Sequence, residues 1–352
     1  MRIAARALVY AAILAVIVVL PHFLGAFRTR ELAYVGVYAI ALLGLNVLTG
    51  FAGQISLGHG AFMALGAYTT AILSVNHGVN ELATIPLGGL VAGVAGFLFG
   101  FPALRLAGVY LALATFGLAV VVPALAQRFD TFTGGQAGLL LPLPTSPASR
   151  LTPETWLYYV TWAIAVVLFA AAILLLRGKT GRALRGIREN ELAAVSSGIS
   201  LARYKTLAFG VSAFYAGIAG SIFAILNSFV NPLAFPIDLS ILLLIGLVVG
   251  GVGSLLAVLA GAAFVHYIPL EVGSIPARAI DFAQKLGIPV SDLDPTTPGV
   301  PSVFYGAILL LIVIVAPQGV AGLLRQLGAL TKRVYSRPIP VEARVTPSRR
   351  DA

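Results

Sequence analysis

The sequence contains no cysteine, and few of its residues are charged. Without cysteine there is no disulfide framework, no thiol nucleophile and no cysteine-based metal site. Charged residues make up 10% of the chain, against roughly a quarter in soluble domains, and none occurs from Leu32 to Asn80. A charge-free stretch of this length exceeds what a buried helix of a globular core requires. The shortage of charge excludes water as the main solvent and indicates a membrane protein.

The residues that are abundant are apolar ones, at 59% of the chain, and the formal net charge is +10. An excess of positive charge can indicate nucleic-acid binding. Here, however, the basic residues lie between apolar segments and not on one soluble face. We therefore expect membrane lipid, and no nucleic acid, as a partner.

Apolar segments long enough to cross a membrane recur along the chain. A hydrocarbon core of roughly 30 Å needs about 20 residues of helix, and helices satisfy their own backbone in lipid. The sequence therefore predicts an all-α, polytopic transmembrane helical bundle of about ten spans. The first resembles the apolar region of a cleavable signal peptide, but no small-residue cleavage site follows it, and we interpret it as a span. The predicted spans are 7–27, 32–50, 57–76, 84–101, 106–127, 155–176, 206–227, 237–252, 254–270 and 302–317.

The distribution of lysine and arginine predicts the orientation, because these residues concentrate in cytoplasmic connections. Most of the 23 basic residues fall in the loop 177–205 and from residue 325 onward. Four predicted spans separate these two regions, so both lie on the same side and both chain termini are predicted to be cytoplasmic. The resulting organisation is a transmembrane domain over 1–325, extracytoplasmic loops at 128–154 and 271–301, and a basic cytoplasmic tail over 326–352.

Small residues recur every fourth position within several spans. Close backbone contact through small residues holds helices together in lipid, where the hydrophobic effect between helices is weak. These ridges therefore predict helix–helix contacts. Two stretches with four spans each, 32–127 and 206–317, also permit inverted repeats. The clearest ridges are Gly88, Ala92, Gly96 and Gly100, and then Ala213, Gly217 and Ser221.

The stretch 44–62 combines polar side chains with five glycines at membrane depth. An unsatisfied polar group in hydrocarbon costs several kcal/mol, so this segment is tolerable only against protein or a watery cavity. The alternative for any single glycine is that it serves helix packing alone and has no role in transport. We expect the segment to line a translocation path, with Asn46, Thr49, Gln54, Ser56 and His59 as the candidate residues.

Acidic residues are missing from the interior of the predicted spans. No Asp or Glu lies in the interior of any of them, since Asp238 sits at an outer edge, and His22, His59 and His266 are isolated from one another in sequence. Each histidine is expected to be hydrogen-bonded within the bundle. This argues against proton coupling, although sodium can bind to backbone carbonyls without a fixed charge. The chain also lacks a nucleotide-binding fold, so we expect no catalytic residue, metal or cofactor in it, and any ATP hydrolysis would belong to another subunit.

The loop 177–205 contains apolar residues at helical spacing, namely Leu184, Ile187, Leu192 and Val195. This pattern predicts one short amphipathic helix, with Gly198 as its stop and Ser200 as the cap of the next helix. Such a helix either lies on anionic lipid or docks in the groove of a partner protein. Glu189 and Glu191 interrupt the basic face, which favours docking.

Four stretches of this sequence, which sample the chain from about residue 40 to 325, carry recognisable motifs. They are Leu45–Tyr68 around Gly53-Gln54-Ile55-Ser56-Leu57-Gly58-His59, Gly181–Gly220 with Arg203-Tyr204-Lys205, Gly250-Gly251-Val252-Gly253-Ser254, and Ala316-Pro317-Gln318-Gly319 with Gly322-Leu323-Leu324. Together they resemble the permease subunits of branched-chain amino acid ABC importers, and the first two are specific signals.

The resemblance implies import of leucine, isoleucine and valine across the bacterial cytoplasmic (inner) membrane. It implies a pseudo-symmetric pair with a related second permease subunit, two cytosolic ABC ATPases and an extracytoplasmic solute-binding protein. It also implies that 177–205 is the loop that couples to the ATPases, with one residue more than the general importer spacing. The coupling residues are then Arg185, Arg188, Glu191, Ala193, Ala194 and Gly198.

Arginines on the predicted outer side are candidates for pairing with carboxylates of a binding protein; solvated loop charges are the alternative for each. Two other functions remain open: an importer of urea or short amides from the same family, and a self-sufficient channel or secondary carrier. The candidate docking residues are Arg28, Arg30, Arg128, Arg150 and Arg278.

Overall fold

The computed structural model describes residues 15–106, 108–142, 144, 146, 151–272, 306, 319 and 322. This part of the chain is a bundle of α-helices with one antiparallel pair of two-residue strands, in which Leu139 faces Val230 and Leu140 faces Phe229. The strands are β1 (Leu139–Leu140) and β2 (Phe229–Val230). The helices are α1 (Ala26–Leu45), α2 (His59–His77), α3 (Glu81–Ala103), α4 (Val109–Arg128), α5 (Asp130–Thr133), α6 (Pro153–Arg177), α7 (Lys179–Glu189), α8 (Glu191–Ser196), α9 (Leu201–Asn227), α10 (Ile237–Gly250) and α11 (Val258–Val272).

The longest helix, α9, packs along α3 through small residues. Gly217 of α9 lies against Gly88 and Ala92 of α3 with no room for a Cβ atom, and Gly96 of α3 meets Ala213 in the same way. The ridges in the sequence therefore correspond to a real helix–helix contact. Because both backbones approach closely, dispersion contacts replace the hydrophobic effect as the stabilising force.

Helix α1 is enclosed by α6, α9 and the α10–α11 hairpin. Gly36 of α1 lies against Thr161 of α6, and Gly44 lies against Tyr215 of α9. Within the hairpin, Gly246 of α10 contacts Gly261 of α11, close to Leu42 of α1. Helix α1 is thus the centre of the bundle.

Six helical segments of the described residues are long and apolar enough to cross a membrane. Each coincides with a predicted span, so those six spans are confirmed. Helix α2, of 19 residues, and the shorter apolar helix α11 occupy the predicted spans 57–76 and 254–270. Outside the described residues lie positions 7–14 of the first predicted span, the span 302–317 apart from residue 306, the loop 271–301 beyond residue 272 and the tail 326–352. The total of ten spans and the cytoplasmic termini therefore stay predictions. The six segments are Ala26–Phe51, Glu81–Ala103, Val109–Arg128, Pro153–Arg177, Leu201–Asn227 and Pro232–Gly250.

The start of α1 corrects one expectation. The helix begins at Ala26 and not near residue 32, so Glu31 lies inside it, and the prediction that no acid lies within a span is wrong. A span predicted from hydropathy ends at the first charged residue, whereas the backbone hydrogen bonds of the helix continue through that residue. Glu31 is accommodated because its carboxylate lies 2.6 Å from Nε2 of His266 on α11.

Candidate functional site

A helix break follows α1. Residues Asn46–Phe51 form a π-helix, and the chain is then not helical until α2 begins at His59. The Gln54 amide donates to the Leu48 carbonyl at 3.1 Å, and the Thr49 hydroxyl donates to the Gln54 carbonyl at 3.0 Å. These bonds fold the start of the irregular segment against the π-helix. We call the π-helix and this irregular segment together, residues 46–58, the first break.

Burial alternates along the first break. Gln54 and Ser56 are buried, whereas Gly53 and Ile55 are exposed, Ile55 at 44%. Within the described part of the chain, neither Gly53 nor Ile55 makes a hydrogen bond through its backbone. The Gln54 side-chain oxygen is buried and also has no partner there. Since unpaired peptide groups are not tolerated against lipid, this face requires water or another protein.

The start of α2 is tied to three neighbouring helices. His59 Nε2 lies 2.8 Å from the Ala41 carbonyl of α1 and therefore donates to it, which confirms the expected structural role of this histidine. The Leu57 amide donates to the Thr115 hydroxyl of α4, and the Gly60 amide to the Ser240 hydroxyl of α10, both at 2.9 Å. Sequence reasoning missed Thr115 and Ser240. Each could have been noticed as a hydroxyl residue within an otherwise apolar helix.

A second break separates α10 from α11, and Asn46 joins it to the first. We call residues 251–257 the second break. Asn46 is fully buried; its side-chain oxygen accepts from the Gly253 amide at 2.8 Å, and its side-chain nitrogen donates to the Ser254 carbonyl at 3.2 Å. Gly50 lies against Gly253 with no room for a Cβ. Two irregular segments distant in sequence therefore meet at one end of the bundle.

The connection between α6 and α9, residues 178–200, lies at that same end, which we call the loop end. Arg188 of α7 donates through its guanidinium to the Gly50 carbonyl, and its aliphatic part lies over Gly53. Arg185 donates to the Leu176 carbonyl at 2.7 Å and to the Gly181 carbonyl at 2.9 Å. Both predicted coupling arginines are therefore directed at the bundle: Arg188 at the first break and Arg185 at the end of α6.

The remaining coupling candidates lie on and after α8. Glu191 forms an ion pair with Lys205 of α9 at 2.7 Å, and Ala194 is buried while Ala193 is exposed. Gly198 ends the unit in a left-handed conformation, with φ of 78°, and Ser200 caps α9 by accepting from the Arg203 amide. The predicted stop and cap are confirmed. The partner of Lys205 was missed.

The predicted single amphipathic helix in this loop is wrong. Asn190 is extended and caps α8 by accepting from the Ala193 amide at 3.0 Å, so the chain breaks into α7 and α8. Leu184 and Ile187 are buried against the bundle, whereas Leu192 and Val195 are 81% and 51% exposed. The extended conformation of Asn190 interrupts the helical spacing, so Leu192 and Val195 do not continue the buried face formed by Leu184 and Ile187.

At the opposite end of the bundle, the predicted docking arginines divide into groups. Arg28 and Arg128 are exposed. Arg30 is engaged, since its guanidinium donates to the Leu226 carbonyl at 2.8 Å and lies over the ring of Tyr34. Arg150 and Arg278 lie outside the described residues. Tyr34 also stacks on His266, at 5.4 Å between ring centroids, which completes a polar cluster with Glu31 that sequence reasoning missed.

Known proteins resemble this chain over most of its length. Residues 28–313 match the profile of a family described as "Branched-chain amino acid transport system / permease component". No solved structure shows a significant match.

Two curated relatives are described as "High-affinity branched-chain amino acid transport system permease protein LivM". The protein of Salmonella typhimurium is 39% identical over 250 residues, and that of Escherichia coli K12 is 38% identical over 253 residues. Each match covers 64% of this chain and 59% of the relative, so the similarity spans about three fifths of the relatives' length.

Proposed function

We propose, since the chain belongs to the family of branched-chain amino acid transport permease components, that it is the membrane-spanning subunit of an ATP-binding-cassette importer. Its solutes are then leucine, isoleucine and valine, moved across the bacterial inner membrane. The observation that carries the proposal is the pair of helix breaks, which meets at the loop end and is contacted there by Arg188.

The first break supplies the chemistry of a translocation path. Its exposed face offers the uncharged, unpaired peptide groups of Gly53 and Ile55, and the guanidinium of the neighbouring Arg188 is bonded to the Gly50 carbonyl. Broken helices at membrane depth bind small solutes through backbone groups and helix ends. A lining of uncharged hydrogen-bonding groups suits a zwitterionic amino acid, because an unpaired fixed charge would hold the solute in place. In this proposal the buried Gln54, Ser56 and His59 support the path from behind.

The loop end supplies a mechanical link to the ATPases. Leu192 and Val195 form an exposed apolar pair on α8, the type of anchor that a partner groove accepts. The Glu191–Lys205 ion pair ties α8 to α9, and Arg188 ties α7 to the first break. Asn46 then extends the link to the second break. A displacement of α8 is thereby delivered to both breaks.

The proposal assigns the other subunits to the parts of the chain that they contact. Two cytosolic ABC ATPases bind at the loop end, and a related permease subunit covers the unpaired backbone face in a pseudo-symmetric pair. A solute-binding protein docks at the opposite end, where Arg28 and Arg128 are exposed. The relatives are described as parts of a transport system, which supports a multi-subunit assembly.

Reconstitution in proteoliposomes tests the function. With all subunits present, labelled leucine should accumulate only when ATP is supplied, and unlabelled valine and isoleucine should compete while urea does not. Competition by urea alone would favour the importer of short amides. ATP-independent uptake by this chain without other subunits would identify a channel or secondary carrier and refute the proposal.

A further inference from the structure

An apolar groove lies between α3, α6 and α9. Its volume is about 490 Å³, and its lining includes Leu90 and Phe97 of α3, Leu175 of α6 and Phe214 of α9. The one hydroxyl in the lining, that of Tyr215, is already bonded to the Leu168 carbonyl at 2.9 Å. The groove therefore offers only hydrocarbon contacts. No residue of the first break or of α4 contributes to it.

The depth of the groove corresponds to one membrane leaflet. Along α9 it extends from Leu207 to Tyr215, which is about 12 Å at 1.5 Å per residue. The hydrocarbon core is about 30 Å thick, so one leaflet is about 15 Å. The groove ends where the Tyr215 hydroxyl contacts α6. A partner helix that crosses the whole membrane would need a groove about twice as long. A single acyl chain fits this depth.

Each of the three helices that line the groove has an exposed arginine at its loop end. These are Arg177 at the end of α6, Arg203 in the first turn of α9, and Arg105 two residues after α3. Counted from the Tyr215–Leu168 contact, Arg177 lies about 14 Å and Arg203 about 18 Å along the helices. Gly100 of α3 lies against Thr206, which places Arg105 near the height of Arg203.

None of these arginines has an acidic partner in the part of the chain that the structure describes. The ion pairs present there join Lys205 to Glu191 and His266 to Glu31. Guanidinium groups bind phosphate oxygens in a bidentate manner, and basic pockets between membrane helices on the cytoplasmic side bind anionic head groups.

We propose that this groove is a binding site for an anionic phospholipid of the cytoplasmic leaflet. One acyl chain lies along Phe97, Leu175 and Phe214, and the phosphate is bound by Arg105, Arg177 and Arg203. The site is separate from the first break, so lipid binding is independent of whether the chain transports amino acids.

Native mass spectrometry tests the site directly. The full-length chain, with the subunits that co-purify in mild detergent, is titrated with phosphatidylglycerol or with phosphatidylcholine of identical acyl chains. We expect one phosphatidylglycerol to be retained per chain, with about tenfold weaker retention of phosphatidylcholine. Equal retention of the two lipids would refute the proposal.

Two variants separate the head-group and acyl-chain contributions. Replacing Arg105, Arg177 and Arg203 together with glutamine changes only exposed positions and should abolish the preference for phosphatidylglycerol. Val94→Trp should fill the groove and prevent retention of both lipids. The matched control is Val121→Trp on α4, which is exposed to a similar extent, 48% against 59%, and should have no effect. Unchanged binding in the arginine variant or in Val94→Trp would contradict the site.

The absence of native cysteine gives a further check against a protein occupant. Val94→Cys labelled with a photoactivatable benzophenone maleimide should show no cross-link to another subunit when the membranes are illuminated. A cross-linked permease pair would show that a protein occupies the groove and would overturn the lipid assignment.

Discussion

Asn46 is the residue on which the geometry of both breaks depends. It is fully buried, and its amide is used in both directions, accepting from Gly253 and donating to Ser254. Aspartate would keep the acceptor and lose the donor, and leucine would lose both. Gly50 is required beside it because a Cβ at that position would overlap the Asn46 side chain.

Asn46→Ala should therefore impair transport. Each lost hydrogen bond leaves a backbone group unpaired at a cost of about 1–3 kcal/mol, so we expect ATP-driven leucine uptake to fall by roughly tenfold. The matched control is Asn76→Ala, because Asn76 is exposed and its amide donates to the Phe132 carbonyl at 3.3 Å. Equal uptake by the two variants, measured in proteoliposomes, would contradict the role of Asn46.

Arg188→Met should uncouple ATP hydrolysis from transport. Methionine keeps an apolar side chain over Gly53 but removes the donor to the Gly50 carbonyl. We expect leucine uptake to fall by roughly tenfold while the ATPase rate of the assembled complex persists, with partial recovery in Arg188→Lys, which can still donate. The control is Arg182→Met on the same helix, since among the described residues the Arg182 guanidinium makes one long hydrogen bond, to the Arg177 carbonyl at 3.5 Å. A parallel loss of uptake and ATPase activity in Arg188→Met would instead indicate damage to the fold.

At the scale of elements, the helices differ in what holds them. The contact of α3 with α9 depends on glycine, and the short helices α7 and α8 depend on caps and on one ion pair. Helix α4 is mostly exposed and meets the rest of the described bundle through few contacts, of which the Thr115–Leu57 bond is one. We infer that α4 is the element with most surface left for another subunit or for lipid.

Gly217→Ala should destabilise the contact of α3 with α9. A Cβ at Gly217 would overlap Ala92 and the Gly88 carbonyl, and overpacking of this kind costs about 1–3 kcal/mol. The matched control is Gly117→Ala on α4, where the space around a new Cβ is open. Thermal unfolding in detergent should show a lower midpoint for Gly217→Ala alone. Equal midpoints would mean that the two helices adjust without cost.

At the scale of the whole molecule, the orientation decides which end is available to the ATPases that we propose as partners. Basic residues concentrate at the loop end, and the positive-inside tendency puts that end in the cytoplasm. The described bundle agrees with this arrangement in one respect: the coupling candidates and both breaks lie at the same end.

Cysteine labelling tests this orientation, because a single introduced cysteine is the only thiol in the chain. His77→Cys lies at the exposed end of α2, and Ser197→Cys lies in the exposed loop after α8. A membrane-impermeant maleimide should label His77→Cys in intact spheroplasts and Ser197→Cys only after the membranes are opened. The reverse pattern would place the loop outside and contradict the proposed coupling to ATPases.

The sequence by itself determined the class of protein and the positions of most spans. Hydropathy is a local property, so the six long apolar helices could be located from composition alone. The stop at Gly198 and the cap at Ser200 were also predictable, because each depends on its own residue and its near neighbours. The polar character of 44–62 identified Asn46 and Gln54 as unusual, without identifying their partners.

The tertiary structure decided every pairing between distant residues. Asn46 and Gly253 are 207 positions apart, and Glu31 and His266 are 235 apart, so no local pattern predicts either contact. The direction of Arg188 toward Gly50, and the separation of Leu184 from Leu192, likewise follow from how α7 lies on the bundle. Neighbouring residues determine where a helix forms and where it breaks. Which buried polar group bonds to which other group depends on how the helices are arranged, and that arrangement exists only in the folded bundle.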